Sequence, residues 1–242
     1  MDVKSFAVRY DKVIGADWMR AIYGDSGYFN TGYWEPGITD IVEACDRLVD
    51  ELASVVPADA SLIVDAGCGV GAATRRLAAR FPEATMLAVN ISHAQLCHAR
   101  RRGVAHPLVM DAARLAIASG KADAVIALES AQHFETRAEF LAEAHRVLRP
   151  GGILSLSDML FTATAPGSAW MLPAANAIAT LAQYEEALAR AGFDRIEVRD
   201  ATDICWRPFT ALLGTAYPDR EELAAAIGAS FSHYVLASAR KP

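Results

Sequence analysis

The sequence predicts an α/β fold in which a mostly parallel β-sheet carries helices on both faces. Two patterns indicate this fold. From residue 61 onward, short apolar runs typical of buried strands alternate with longer amphipathic stretches typical of helices. A glycine-rich turn, VDAGCGVG, joins the first strand to the first of these helices. Alternating strands and helices connect through right-handed crossovers, which make the strands parallel and cover both sides of the sheet.

Composition narrows the class of protein. The chain has 242 residues, of which 53% are apolar and 21% charged, as in compact soluble proteins. A net charge of −6 argues against a nucleic-acid surface, which depends on clustered Lys and Arg. The four cysteines form no CxxC pair, so we expect reduced thiols and no metal site. Because we find neither a signal peptide nor an apolar run of about 20 residues, we expect a cytoplasmic protein without a membrane partner.

The first 60 residues differ from the rest of the chain. They contain an aromatic-rich segment, YGDSGYFNTGYWEPG, followed by an amphipathic helix, TDIVEACDRLVDELASVV. We therefore predict an N-terminal lid or cap layer over residues 1–60, placed before a core of residues 61–242.

The first half of the core contains three predicted strands. The first strand is SLIVDAG, and the helix after it is AATRRLAARF. The second strand is TMLAVN, and its helix, SHAQLCHARRRG, closes at a glycine. The third strand is HPLVMD.

The second half of the core completes the sheet. The fourth strand is ADAVIALES, and the helix after it is RAEFLAEAHRVLRPGG, whose end is marked by a proline and two glycines. The remaining elements are the strand GILSLSDML, the helix TLAQYEEALARAG, and the strands DRIEVRD and HYVLASAR.

Polar residues cluster where the predicted strands end. In parallel α/β sheets, ligands bind outside the carboxyl ends of the strands. The fold therefore places six polar side chains on one rim, namely Asp65, Asn90, Asp111, Glu129, His133 and Asp158.

The glycine turn has more than one interpretation. Gly67, Gly69 and Ala72 satisfy a dinucleotide-binding GxGxxA pattern, and a turn without any ligand is a further alternative. Two features argue against NAD. Asp65 would repel a pyrophosphate, and Asn90 stands about 20 residues beyond the turn, where that pattern has its ribose-binding acid.

Five motifs together carry a family resemblance. In order and spacing, VDAGCGVG, AVNIS, VMDAARL, ALESAQHF and RVLRPGGILSLSD resemble class I S-adenosylmethionine-dependent methyltransferases. The chain is most similar to the small-molecule branch with gamma-tocopherol methyltransferases, ubiquinone-type C-methyltransferases and sugar O-methyltransferases of natural-product pathways. The resemblance covers roughly residues 28 to 242. It implies a Rossmann-like seven-stranded sheet, S-adenosylmethionine as cofactor and a small-molecule acceptor.

The resemblance also implies a set of cofactor-binding residues. The backbone at Gly67 and Gly69 would pass under the methionyl part of the cofactor. Asp65 would help to hold the ammonium group of that part. Asn90 stands at the ribose position, where many relatives carry an acid. The full set is Phe29, Asn30, Asp65, Gly67, Gly69, Asn90, Ile91, Gln95, Asp111 and Ala112. Ile91, Asp111 and Ala112 would contact adenine, Gln95 would lie close to them, and Phe29 and Asn30 match lid positions.

Aromatic residues near the N-terminus are candidates for substrate binding. We assign this role to Tyr10, Tyr33 and Trp34. Aromatic faces near a sulfonium gain cation–π attraction. Core packing of an N-terminal layer is the alternative for the aromatic cluster.

His133 and Asp158 are the predicted catalytic residues. A hydroxyl acceptor must lose its proton during methyl transfer, which requires a positioned base. His133 follows the fourth strand and Asp158 ends the fifth, so the two side chains can converge. The same His and Asp are base candidates in the sugar O-methyltransferases that the chain resembles. A structural role for His133 stays open.

The predicted reaction is methylation of a small molecule, most simply at an oxygen of a specialised metabolite. One alternative is methylation of carbon in a prenyl, quinone or polyketide acceptor, and another is a cyclase that retains the cofactor. The short segment after Asp158 leaves three arrangements open: an open acceptor pocket, a pocket completed by a second subunit, or an unusual acceptor. A homodimer is compatible with the sequence.

Overall fold

The computed structural model describes residues 3–134, 136–161, 172–216 and 231–242. Seven strands form a single sheet. They are β1 (Leu62–Ala66), β2 (Thr85–Asn90), β3 (Pro107–Val109), β4 (Ala122–Leu128), β5 (Leu148–Phe161), β6 (Asp194–Asp200) and β7 (Phe231–Arg240). Their order across the sheet is β3-β2-β1-β4-β5-β7-β6.

The sheet is mostly parallel, as predicted. Only β7 runs antiparallel to its neighbours β5 and β6. At the centre, Val64 of β1 lies between Leu87 of β2 and Val125 of β4. Strands covered on both faces read as nearly continuous apolar runs, and β4 shows this pattern with six buried residues in succession before Leu128. The predicted α/β class and the seven strands are confirmed.

The described residues contain eight α-helices. They are α1 (Val3–Ile14), α2 (Asp17–Tyr23), α3 (Ile41–Ala53), α4 (Ala72–Arg80), α5 (His93–Arg101), α6 (Arg137–Val147), α7 (Leu181–Arg190) and α8 (Arg207–Ala216). Four of them begin at a side chain that accepts a hydrogen bond from a first-turn N–H. These capping residues are Asp40, Ser92, Thr136 and Thr180.

Each face of the sheet has its own hydrophobic core. On one face, Leu48 of α3 and Leu77 of α4 pack in one cluster with Ile63 of β1. On the other face, Phe140 of α6 and Tyr184 of α7 belong to a second cluster. Side chains alternate between the faces along each strand, so both cores draw on the same strands. The sheet is thereby held between two helical layers, and its strand ends are fixed in place.

Residues before position 61 share the core of the sheet. Leu48, Val49 and Leu52 of α3 belong to the cluster that includes Ile63 and Ile126. Helix α3 is thus a sheet-packing helix. The lid role that we expect for residues 1–60, and the boundary at residue 61, stay predictions.

Strand β5 begins earlier than the sequence indicates. The glycine pair after Pro150 predicts a start at Gly152, yet pairing with β4 already begins where Leu148 meets Ala122. The Gly151 N–H donates to the Lys241 carbonyl, and the Lys241 N–H donates to the Gly152 carbonyl. These bonds extend the ladder through the glycines. Gly151 and Gly152, which are typical turn residues, therefore belong to β5 because Lys241 pairs with them.

None of the helices in these described ranges is long and apolar enough to cross a membrane. Within the same ranges, no group of three or more His, Cys, Asp or Glu side chains could hold a metal ion.

Candidate functional site

A cavity of about 320 Å³ lies at the carboxyl ends of β1, β2 and β4. Twelve of the fifteen predicted site residues line it. They are Tyr10, Phe29, Asn30, Asp65, Gly67, Gly69, Asn90, Ile91, Gln95, Asp111, Ala112 and His133. Tyr33, Trp34 and Asp158 do not line it. The carboxyl ends of parallel strands meet at one edge, which explains why residues so far apart in sequence come together.

The two glycines that follow β1 have different roles. Gly67 has a φ of +83°, and a Cβ there would overlap the side chain of Ser130. Gly69 has a φ of +56°, and a Cβ there would meet nothing closer than Gln95 Oε1 at 4.0 Å. Among the described residues, the Gly69 N–H donates no hydrogen bond. Gly67 therefore makes room for Ser130, whereas Gly69 leaves the loop open to a ligand.

Asp65 is a buried carboxyl at the end of β1. It is 1% exposed and accepts a hydrogen bond of 2.5 Å from the Thr74 hydroxyl. Burial raises the pKa of Asp65 to about 6, against the opposing effect of the Thr74 hydrogen bond. A cationic group in the cavity would stabilise the ionised form. This carboxyl fits the ammonium group of a methionyl ligand.

A chain of hydrogen bonds connects Asn90 to the N-terminal helix. The Asn90 Nδ2 donates to Gln95 Oε1 at 2.9 Å, and the Gln95 Nε2 donates to Asp11 Oδ1 at 2.6 Å. Asp11 also accepts from the Ser92 hydroxyl at 2.8 Å. The amides of Asn90 and Gln95 are therefore oriented by a carboxylate on α1.

Glu129 joins three parts of the molecule. Its Oε1 accepts hydrogen bonds from the Thr31 N–H at 2.7 Å, the Thr31 hydroxyl at 2.8 Å and the Tyr234 hydroxyl at 2.7 Å. Its φ of +46° lies in the left-handed region, which is unusual for a residue with a side chain. Burial raises the pKa of Glu129 to about 7. Glu129 thus fixes the N-terminal segment to β4 and β7 and lines the cavity.

His133 ends a short 3₁₀ turn, Ala131–His133, that follows β4. Its ring lies 5.4 Å from the ring of Tyr10, measured between centroids. Phe134, the next residue, also lines the cavity and packs edge-on against Phe140 of the core. Phe134 therefore anchors the turn to the core, and His133 lines the cavity.

The predicted pairing of Asp158 with His133 is corrected by the structure. Asp158 is fully buried and accepts from Arg137 Nε at 2.7 Å and from the Tyr184 hydroxyl at 2.8 Å through Oδ2. Its Oδ1 accepts from the Met159 N–H at 2.8 Å. The strands β4 and β5 are neighbours as expected, but the Asp158 side chain is directed to Arg137. It holds α6 and α7 on the sheet instead of reaching the cavity.

Tyr33 and Trp34 pack in the core instead of binding a substrate. Both are partly buried against the cluster that contains α3, and neither lines the cavity. The Tyr33 N–H donates to the Ala44 carbonyl, and the Trp34 Nε1 donates to the Thr31 carbonyl at 2.7 Å. Their substrate-binding assignment is corrected, and the core-packing alternative holds for them.

Sequence reasoning missed several residues at the cavity. Ile14, Leu172 and Pro173 line it and lie outside the quoted motifs, and Phe134, the last residue of ALESAQHF, also lines it although it received no role. Arg137 was also missed, although it stands in the first turn of α6, where a cation is unfavourable for the helix dipole. An arginine at that position indicates a buried acidic partner, and this signal was available.

Proteins of similar sequence are methyltransferases. A family model described as "Methyltransferase domain" matches residues 64–156. The chain is 31% identical over 202 residues to methyltransferase GfsG of Streptomyces halstedii, covering 76% of this chain and 72% of that protein. It is 28% identical over 208 residues to erythromycin 3''-O-methyltransferase of Saccharopolyspora erythraea, covering 76% and 68%.

Solved structures share the fold. The [4+2]-cyclase SpnF superposes with a TM-score of 0.78 at 24% identity, over 98% of this chain and 97% of that one. A geranyl diphosphate methyltransferase in complex with SAM superposes with a TM-score of 0.74 at 20% identity, over 89% and 99%.

Because Glu129 has a raised pKa, the stability of the fold should depend on pH. Its folded pKa of about 7 lies above its ordinary value of 4.5, so its contribution is complete below pH 4.5 and is lost as pH rises through 7. Glu129→Gln removes the titration and keeps an acceptor oxygen. The unfolding free energy of the wild type, relative to Glu129→Gln, should fall by on the order of 3 kcal/mol between pH 5 and pH 8.

Urea denaturation at the two pH values measures this difference. The comparison with Glu129→Gln cancels the effect of Asp65, whose pKa is raised in the same direction. A constant difference between the two proteins would show that Glu129 does not titrate in this range.

Proposed function

This chain belongs to the class I S-adenosylmethionine-dependent methyltransferases that act on small molecules, and from that membership we propose that it methylates a hydroxyl oxygen of a specialised metabolite. The observation that carries the choice of oxygen is the position of His133 on the cavity wall. The similarity to erythromycin 3''-O-methyltransferase supports the same choice.

The cofactor is S-adenosylmethionine, and the cavity residues fit it. We propose that Asp65 binds the ammonium group, since burial without a cation is unfavourable for this carboxylate. The open Gly69 backbone would lie under the methionyl part. Asn90 would bind the ribose, Asp111 would contact the adenine edge, and Gln95 would lie close to the adenine. When bound, the cofactor supplies a methyl group on a positively charged sulfur.

His133 is the proposed base. A hydroxyl oxygen is a poor nucleophile until its proton is removed, and a histidine within hydrogen-bonding reach can accept that proton. The imidazole lies beside the ring of Tyr10, and both residues line the cavity. Transfer of this proton to His133 would leave the acceptor oxygen ready to take the methyl group that a bound cofactor would supply. Positioning of the two reactants supplies much of the remaining acceleration.

The proposal includes a cover for the cofactor and a cellular location. Phe29 and Asn30 line the cavity from the N-terminal segment that Glu129 fixes through Thr31, which supports a covering role for this segment. All four cysteines are free thiols, three of them buried, which supports a reducing compartment such as the cytoplasm.

Transfer of a labelled methyl group tests the proposed reaction directly. The protein is incubated with methyl-labelled S-adenosylmethionine and a panel of hydroxylated metabolites, and products are analysed by mass spectrometry. We expect label on an oxygen. Label on carbon would support a C-methyltransferase instead, and a rearranged product without label would support a cyclase.

His133→Ala should reduce turnover on an alcohol acceptor by roughly two to four orders of magnitude, because the base is lost. The affinity for S-adenosylhomocysteine, measured by calorimetry, should change little, since the imidazole faces the acceptor. His98→Ala, at an exposed position on α5, is the matched control and should behave as the wild type. Near-normal turnover of His133→Ala would give His133 a structural role.

Asn90→Asp should weaken binding of S-adenosylhomocysteine by about tenfold, although an acid is common at this position in relatives. The new carboxylate would face Gln95 Oε1, and Gln95 cannot turn over because its Nε2 is held by Asp11. The double variant Asn90→Asp/Asp11→Asn should recover the loss, because Gln95 is then free to turn over.

A double-mutant cycle measures the coupling between Asn90 and Asp11 in the affinity for S-adenosylhomocysteine. Calorimetry is performed on the wild type, on both single variants and on the double variant. Asp11→Asn alone is the control and should change the affinity only slightly. If Asn90→Asp binds as tightly as the wild type, Asp11 does not determine the orientation of these amides.

A further inference from the structure

Much of the cavity wall is apolar. Besides His133, its lining includes the side chains of Tyr10, Ile14, Phe29, Phe134, Leu172 and Pro173. Among the residues that the structure describes, no lysine or arginine lines the cavity. A phosphate, sulfate or carboxylate on an acceptor would therefore lose its hydration there without gaining a cationic partner.

The ionisable carboxyls that line the cavity add to this cost. Asp65, Asp111 and Glu129 are all lining residues. Burial raises the pKa of Glu129 to about 7, and its opposing hydrogen bonds come from Thr31 and Tyr234, which are neutral donors. The pKa of Asp65 is raised by burial as well. A site that already disfavours its own negative charges disfavours an anionic ligand for the same reason.

Two arginines near this end of the sheet already have partners. Arg137 is 2% exposed and pairs with Asp158 at 2.7 Å. Arg102 donates to the carbonyls of Asp25 and Ser26 at 2.7 and 3.0 Å. Neither is available to an acceptor without breaking these bonds. Within the described ranges there is also no acidic or histidine cluster that could recruit a metal ion for a phosphate.

The segment between β5 and Leu172 is uncharged in its sequence. Residues 162–171, which connect β5 to Leu172, read TATAPGSAWM and contain no ionisable side chain.

We propose that the acceptor of this enzyme is an uncharged, mainly apolar molecule, and that phosphorylated, sulfated and carboxylated acceptors are excluded. This inference rests on the proposed function, because it names the substrate class of the same site. It adds a constraint that the methyltransfer reaction alone does not impose, since methyltransferases of this fold are not restricted to neutral substrates.

Two dyes with one scaffold test the inference. N-phenyl-1-naphthylamine is neutral, and 8-anilinonaphthalene-1-sulfonate carries the same two ring systems with one sulfonate. Each is titrated by fluorescence into protein saturated with S-adenosylhomocysteine, so that only the acceptor end is accessible. We expect the neutral dye to bind at least tenfold more tightly. Equal binding, tighter binding of the sulfonate, or failure of both dyes to bind would overturn the inference.

A second experiment introduces a positive charge at the cavity wall. Leu172→Arg supplies a cation at the cavity wall. It should therefore reduce the ratio of the affinities for the neutral and the sulfonated dye by about tenfold. Leu172→Gln is the matched polar control without charge, and Val109→Arg, at a position 57% exposed outside the cavity, controls for surface binding. Neither control should change the preference. An equal effect of Val109→Arg would place the dyes outside the cavity and overturn the inference.

Binding of S-adenosylhomocysteine, measured first by calorimetry, separates this inference from the proposed function. Protein that does not bind S-adenosylhomocysteine contradicts the proposed function. Protein that binds it and still prefers the sulfonated dye contradicts only the substrate class.

Discussion

The position of the N-terminal segment beside the cavity depends on one carboxyl oxygen. Glu129 Oε1 accepts three hydrogen bonds, two from Thr31 in the N-terminal segment and one from Tyr234 in β7. The Tyr23 hydroxyl donates to the Asn30 carbonyl at 2.8 Å and secures the same segment from the side of α2. Phe29 and Asn30 reach the cavity only because these bonds hold the chain beside β4. The strained φ of Glu129 is maintained by the same contacts.

The cavity combines buried acids with apolar walls, and this combination suits a cationic cofactor. Burying the Asp65 and Glu129 carboxyls raises the pKa of both. S-adenosylmethionine carries positive charge on its sulfonium and ammonium groups, so its binding offsets part of that cost. Among the described residues, the cavity offers no lysine or arginine to an anionic acceptor. The electrostatics of the cavity therefore support both the cofactor and the proposed acceptor class.

The positions of many cavity residues could be predicted from the sequence. The predictions that were wrong have physical causes. Asp65, Asn90 and Asp111 were placed correctly because parallel strands bring their carboxyl ends to one edge. Asp158 was expected at the end of a neighbouring strand by the same logic, but it lies inside β5, where the buried Arg137 of α6 pairs with it. The link from Asp11 to Gln95 depends on how α1 docks, which no local pattern encodes.

We propose that S-adenosylmethionine binds in this cavity, beneath the N-terminal segment. Hydrogen–deuterium exchange with and without S-adenosylhomocysteine tests it most directly, because the method reports protection along the whole chain. We expect slower exchange in the Gly67–Gly71 loop, around Asn90–Gln95 and around Phe29–Thr31, with little change in β6 at the far edge of the sheet. Protection confined to other segments, or none at saturating ligand, would contradict it.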